Sequence, residues 1–159
     1  MIINVSPSNI EDAAEIYSIS WIESHKDVCS ERFLKEHTPS YMKRKIEDAI
    51  EKGWKYYIYL SHLPTGIVSF RGNEISSLYV LPNMERRGIG GELLSFVENK
   101  IESSPFLWCR KENCKAMIFY LKRGYVIAEE KVVGGKMTEV KLIKRQSPAD
   151  ERNSSTNSL

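Results

Sequence analysis

Three runs of aromatic and β-branched residues follow one another between Trp54 and Leu81: "WKYYIYL", "TGIVSFRG" and "EISSLYVL". Only "SHLP" and "GN" separate them. Breaks that short leave no room for a crossover, so each run must return antiparallel on the one before it, as a meander. The rest of the chain then has to cover a twisted sheet whose order is already laid out. The aromatic residues Trp54, Tyr56, Tyr57 and Tyr59 read as core of that sheet.

Around the meander the periodicity changes to that of helices. "IINV" reads as a first strand, followed by "SPSNIEDAAEIYSISWIESH" with Ile10, Ala13 or Ala14, Tyr17 and Trp21 on one stripe and Ser8 or Asn9 as cap. "TPSYMKRKIEDAIEKG" is a second helix, with Tyr41, Met42, Ile46 and Ile50 on its apolar face and Gly53 as its stop. After the meander, Ile89, Leu93, Val97 and Ile101 recur at steps of four. "PFLWCR" is a fifth strand. "NCKAMIFYLKRG" is a helix closed by Gly124, with Met117, Leu121 and Ile118 as its core stripe. "YVIAEEKVV" and "MTEVKLIKR" pair around Gly134 and Gly135. The order predicts a mixed α/β (α+β) fold: one domain over residues 1–145, with a central, mostly antiparallel twisted sheet flanked by helices. Residues 146–159, "QSPADERNSSTNSL", are too poor in apolar side chains to recover the entropy of ordering, and are expected as a polar tail.

Composition excludes several classes. A net charge of +2 on 159 residues is too small to imply nucleic acid or membrane binding by itself, and it argues against a nucleic-acid partner. No apolar run approaches the roughly 20 residues of a membrane span, and "MIINVSPSNIED" lacks the basic-then-apolar order of a secretion signal. Cys29, Cys109 and Cys114 form no CxxC pair and stand far in sequence from the three histidines. Reduced thiols, no metal and a cytoplasmic location are the expectation.

The segment "VLPNMERRGIGGELLSFVENKI" puts two arginines and three glycines directly before an amphipathic helix. Glycine lets a chain approach an anion closely, and a helix start adds inward amides and the positive end of the dipole. A P-loop fails on spacing, because Glu92 and Leu93 follow Gly91 where lysine and then serine or threonine are needed. A dinucleotide fingerprint fails too, because its last glycine falls on Leu93. A basic tight turn and a phosphate cradle both remain. Further on, Asn113, Ala116 and Tyr120 are spaced to share one helical face. These types fit a cap, a close-packing alanine and a core-edge tyrosine, or a functional face.

Together, "LYVLPNMERRGIGG" and "NCKAMIFYLKRGY" resemble the GNAT superfamily of N-acetyltransferases, whose pattern is [Q/R]xxGx[G/A] at a helix start and later NxxAxxxYxxxG[F/Y]. The order of strands and helices matches as well, over roughly residues 2–145. "SISWIESH" is similar to a subset of the family with Ser-Trp in its first helix. The resemblance implies acetyl-CoA as co-substrate, with direct attack on the thioester by a primary amine of a small molecule or peptide. It implies that the strand "SSLYV" splays from "PFLWC" and exposes backbone amides of Leu78, Tyr79 and Val80 to the pantetheine and the acetyl carbonyl. Amides of Arg86, Arg87, Gly88, Ile89, Gly90 and Gly91 would hold the pyrophosphate. Asn113 would meet the pantetheine arm, and Tyr120 would protonate the departing thiolate, as a phenol of pKa ~10 can. Glu74 is the first candidate base, with Ser76 on the same strand face; Glu23 and His25 are candidates for lining the acceptor pocket. The pattern's Gln or Arg is replaced by Glu85, a carboxylate beside the pyrophosphate position, which Arg86 and Arg87 can offset. Glu85 keeps open an acyl-CoA-binding or sensing domain with little turnover. A toxin-type enzyme acting on charged transfer RNA would need a strongly basic face. Residues 24–40, expected to form the acceptor pocket, carry no motif, and a homodimer is left open.

Overall fold

Tyr57 pairs with Val68, and Val68 with Leu78, so the three aromatic and β-branched runs form the antiparallel strands β2 (Lys55–Leu60), β3 (Pro64–Arg71) and β4 (Glu74–Val80). β1 (Ile2–Asn4) adds antiparallel to β2 at Ile3–Ile58, giving the order β1-β2-β3-β4. The computed structural model describes residues 1–146. The expected tail falls outside them from residue 147 onward. The chain forms two compact units, Met1–Lys100 and one that begins at Ile101.

In the first unit, one sheet face is covered by α1 (Ile10–His25) and α3 (Pro39–Glu51). Ile10, Ala13, Ala14, Ile16 and Tyr17 meet Met42, Ile46, Tyr56, Ile58 and Ile67 in its core. Thr38 caps α3, accepting from Tyr41 N–H at 3.2 Å, and Gly53 ends the connection with φ +92°. α4 (Ile89–Glu98) covers the other face through Ile89, Leu93, Leu94 and Val97. Three local expectations change. Asn9 is the residue before α1, but its side chain turns back, accepting from Ser6 N–H and donating to Asn4 C=O, so it does not cap the helix. Ile50 is 40% exposed, and Ile101 lies past the end of α4. A short helix, α2 (Glu31–Lys35), was not foreseen; its five residues bury none of their side chains and leave no apolar period to detect.

The second unit is a three-stranded antiparallel sheet, β5-β7-β6, of β5 (Phe106–Arg110), β6 (Tyr125–Val133) and β7 (Met137–Lys144), with α5 (Cys114–Leu121) packed on β6. Leu107, Val140, Leu142 and Tyr125 fill its core. The stripe expected on α5 is corrected: Ile118 and Leu121 are 53% and 46% exposed, and Tyr120 is the buried residue of the helix. Eight residues make only two turns, and the T-shaped contact of Tyr120 with Tyr125 decides which side faces inward.

Candidate functional site

The end of β4 leads directly into the glycine-rich turn. A 3-10 turn (Pro82–Met84) closes with Met84 N–H donating to Leu81 C=O at 2.8 Å. Glu85 is then extended, Arg86 has φ +61°, and Gly88 has φ +84° as the residue preceding α4. A left-handed arginine is uncommon and costs of order 1 kcal/mol, so the turn is held by its surroundings. Gly88 offers no capping side chain, and the first helical bond behind it is Glu92 N–H to Gly88 C=O at 3.0 Å. The amides at the start of α4 therefore have no acceptor within the helix. A Cβ built on Gly88 would meet nothing within 4 Å, so the outer side of the turn is open. These features fit an anion held by backbone. Of the two nearby carboxylates, Glu92 accepts from the Tyr59 phenol, whose pKa it raises, and Glu85 is half-buried.

A glycine in β3 fixes the helix against the sheet. A Cβ on Gly66 would lie 2.8 Å from Leu93 Cδ1, 3.2 Å from Ile89 Cγ2 and 3.3 Å from Tyr79 O. Gly66 pairs with Val80, so this close approach sets the first turn of α4 beside the end of β4. Register also decides which backbone groups of β4 are available. Leu81 N–H donates to Thr65 C=O at 2.9 Å, making Thr65 and Leu81 a hydrogen-bonded pair. Alternation then points Leu78 and Val80 N–H away from β3 and Tyr79 N–H toward it. Tyr79 packs its ring on Tyr17 of α1, centroids 5.4 Å apart. Of the three amides expected to face the coenzyme, those of Leu78 and Val80 point off the β3 ladder, and that of Tyr79 points into it.

Glu74 opens β4, half-buried and opposite Arg71. Ser76 does not share its face by simple alternation. Ser69 pairs with Ser77 and Phe70 with Ile75, so Ser76 is the extra residue of a bulge. Behind it lies a buried hydroxyl group: Ser77 Oγ donates to Tyr17 Oη at 3.3 Å, and Ser77 N–H donates to Ser69 Oγ at 3.2 Å. Tyr56 hydrogen-bonds to both serines, and burial pushes its phenol up to about 12.

Residues 24–40 are organised by one indole. Trp21 lies between two imidazoles, His25 at 3.9 Å and His37 at 3.6 Å between centroids, both nearly parallel to it. Each histidine directs Nδ1 at the carbonyl four residues back, His25 to Trp21 O at 2.8 Å and His37 to Phe33 O at 2.9 Å. Nδ1 therefore carries the proton in both. Ser18 Oγ donates to His37 C=O at 2.6 Å, and Phe33 and Tyr41 close on His37 edge-on. His25 thus belongs to a packed stack. Glu23, expected beside it, is paired with Lys26 at 2.6 Å on the exposed side of α1.

In the second unit, Asn113 Oδ1 accepts from Ala116 N–H at 3.2 Å and caps α5. Tyr120 is 7% exposed, with Phe119 and Tyr125 edge-on to its ring. The cap and the core-edge tyrosine are both present. Asn113 keeps its carboxamide NH2 for a further role, because only the oxygen serves as cap.

A model of the acetyltransferase (GNAT) domain matches residues 14–144. The chain belongs to the GNAT acetyltransferase family. A probable N-acetyltransferase of Mycobacterium tuberculosis is 33% identical to this GNAT chain over 104 residues, which are 60% of this chain and 56% of that protein. The chain thus spans little more than half the length of that curated relative. Solved structures agree on the fold. A GCN5-related N-acetyltransferase from Rhodopseudomonas palustris superposes with a TM-score of 0.74 at 22% identity, covering 92% of this chain and 95% of the other. The PaiA N-acetyltransferase of Thermoplasma acidophilum, solved with coenzyme A, gives 0.72 at 17% identity, covering 92% and 98%. Among the described residues of the GNAT chain, no helix is long and apolar enough to cross a membrane, and no group of three His, Cys, Asp or Glu could hold a metal ion.

Sequence reasoning passed over Gly66, Ser20, His37 and the bulge. Gly66 had a signal, an isolated glycine within a strand run, which marks a close approach of another element. His37 had none, because the partner that gives it meaning lies 16 residues earlier in sequence.

Proposed function

We propose that this protein is an acetyl-CoA-dependent N-acetyltransferase that acts on a primary amine of a small molecule or peptide. The observation that carries the reading is the open, left-handed Gly88 at the uncapped start of α4, reached directly from β4. In this reading amides of residues 86–91 take the pyrophosphate, and the Arg86 and Arg87 side chains offset Glu85. Leu78 and Val80 amides polarise the acetyl carbonyl as negative charge develops on it. The amine nitrogen attacks that carbon, the C–S bond breaks, and Tyr120 gives its proton to the sulfur. Glu74 accepts the proton shed by the amine. Asn113 steadies the pantetheine arm. A reducing, cytoplasmic setting suits the free thiols of Cys29, Cys109 and Cys114.

The test is release of free thiol from acetyl-CoA across a panel of amines and peptides, with the acetylated product identified by mass. Tight acetyl-CoA binding without release for any amine would favour the second reading, an acyl-CoA-binding or sensing domain, which Glu85 in the turn supports. A protein that binds no acetyl-CoA excludes both.

A further inference from the structure

The peptide between Val80 and Leu81 is held on both sides. Its N–H, on Leu81, donates to Thr65 C=O at 2.9 Å. Its C=O, on Val80, points away from β3 and accepts from Ser20 Oγ at 3.2 Å. Ser20 belongs to α1 and is 4% exposed, so this hydroxyl is spent inside the protein. Thr65 Oγ1 continues the line by donating to Tyr59 C=O at 3.4 Å. One polar line thus runs from α1 through β4 and β3 to β2. Donation into a carbonyl also strengthens the bond made by the N–H of the same peptide, so the two ends of the clamp support each other.

That peptide has a special place. Before it lie Leu78 and Val80, the edge assigned to the acyl end of the coenzyme. After it lie the 3-10 turn and the cradle at residues 86–91. The geometry points to Ser20 as a positioning residue: by fixing the Val80–Leu81 peptide, it sets the span between the acyl edge and the phosphate cradle. The inference rests on the coenzyme reading given above. A ligand that bridges both parts feels the span, because two contacts must be met at once and pre-organisation keeps the cost of meeting them low. A ligand that fills the cradle alone does not.

The experiment compares two ligands on two proteins by calorimetry, with thermal melting as control. Acetyl-CoA bridges edge and cradle; ADP carries the pyrophosphate without the pantetheine arm. Ser20→Ala, which removes one oxygen, is expected to weaken acetyl-CoA about five- to tenfold, the value of one hydrogen bond, and to leave ADP within twofold. Ser20→Thr, which keeps the hydroxyl, should restore acetyl-CoA affinity; the Ala result stands alone if the added methyl disturbs folding. The inference is overturned if acetyl-CoA binds Ser20→Ala within twofold of the parent. It is overturned equally if ADP weakens as much as acetyl-CoA, since Ser20 would then act on the whole fold. A parent that binds ADP but not acetyl-CoA removes the edge assignment, and the inference with it. A parent that binds neither removes the coenzyme reading itself.

Discussion

Replacing Gly66 by alanine tests whether packing of α4 on β3 positions the cradle. The new Cβ would lie 2.8 Å from Leu93 Cδ1, with Ile89 Cγ2 at 3.2 Å and Tyr79 O at 3.3 Å. Leu93 and Ile89 are 0% and 5% exposed, so neither can swing into solvent. Relief requires the first turns of α4 to lift by about 1 Å to reach ordinary carbon contact. Overpacking of this kind costs about 1–3 kcal/mol, which for a chain of this size lowers Tm by roughly 2–12 °C. The same lift carries the helix-start amides away from the end of β4, and acetyl-CoA affinity should fall roughly tenfold, the loss of one good hydrogen bond to a charged group. Melting and acetyl-CoA titration read the two effects on one sample. Leu93→Val shortens the side chain that clashes, so the double variant should recover part of both losses, with a coupling energy opposite in sign to the single costs. Unchanged Tm and affinity in Gly66→Ala, or strict additivity with Leu93→Val, would refute the reasoning.

Other outcomes follow from single sites. Gly88→Val places a β-branched residue at φ +84°, costing about 1–2 kcal/mol with no clash, and should weaken acetyl-CoA strongly; Gly88→Asn, which tolerates this backbone, should recover the melting temperature. Parent-like affinity in a folded Gly88→Val would count against the cradle. Tyr120→Phe keeps the ring contacts with Phe119 and Tyr125 and removes the proton, so kcat should drop about 100-fold with coenzyme affinity retained; an equal kcat removes the acid role. The Tyr56 phenol is raised from 10.0 to about 12 by burial, so the unfolded chain loses this proton first. Its contribution is complete below pH 10 and is lost as pH climbs toward 12, at about 1.4 kcal/mol per pH unit at most. Denaturant melts at pH 9–12 should show that fall, and Tyr56→Phe should flatten it; a parent-like slope would assign the loss to other groups.

The meander, the two motif-bearing helix starts and the final strand pair were legible because each declares itself within a dozen residues. The pattern of Ile89, Leu93 and Val97 gave the buried face of α4 directly. What stayed hidden depends on pairs distant in sequence. His37 stacks on Trp21 only once the segment after α2 has folded back on α1, whereas His25, four residues on in the same helix, meets the indole locally. The direction of the Leu78 and Val80 amides follows from register with β3, which a one-residue bulge shifts and no local rule announces. On α5, local hydropathy favoured Ile118 and Leu121, but packing against β6 chose Tyr120.

The bulge at Ser76 has a consequence for how this strand can change over time. With Ser77 opposite Ser69 and Ile75 opposite Phe70, the pairing on either side of Ser76 is already in phase. Loss of that one codon would join the two halves into an unbroken ladder without turning any side chain to the other face. Loss of Ile75 or Ser77 would instead remove a buried side chain. Within β4, Ser76 is therefore the position where length can drift by one while Glu74 and the Leu78–Val80 edge keep their orientation, and only the local twist between them is altered.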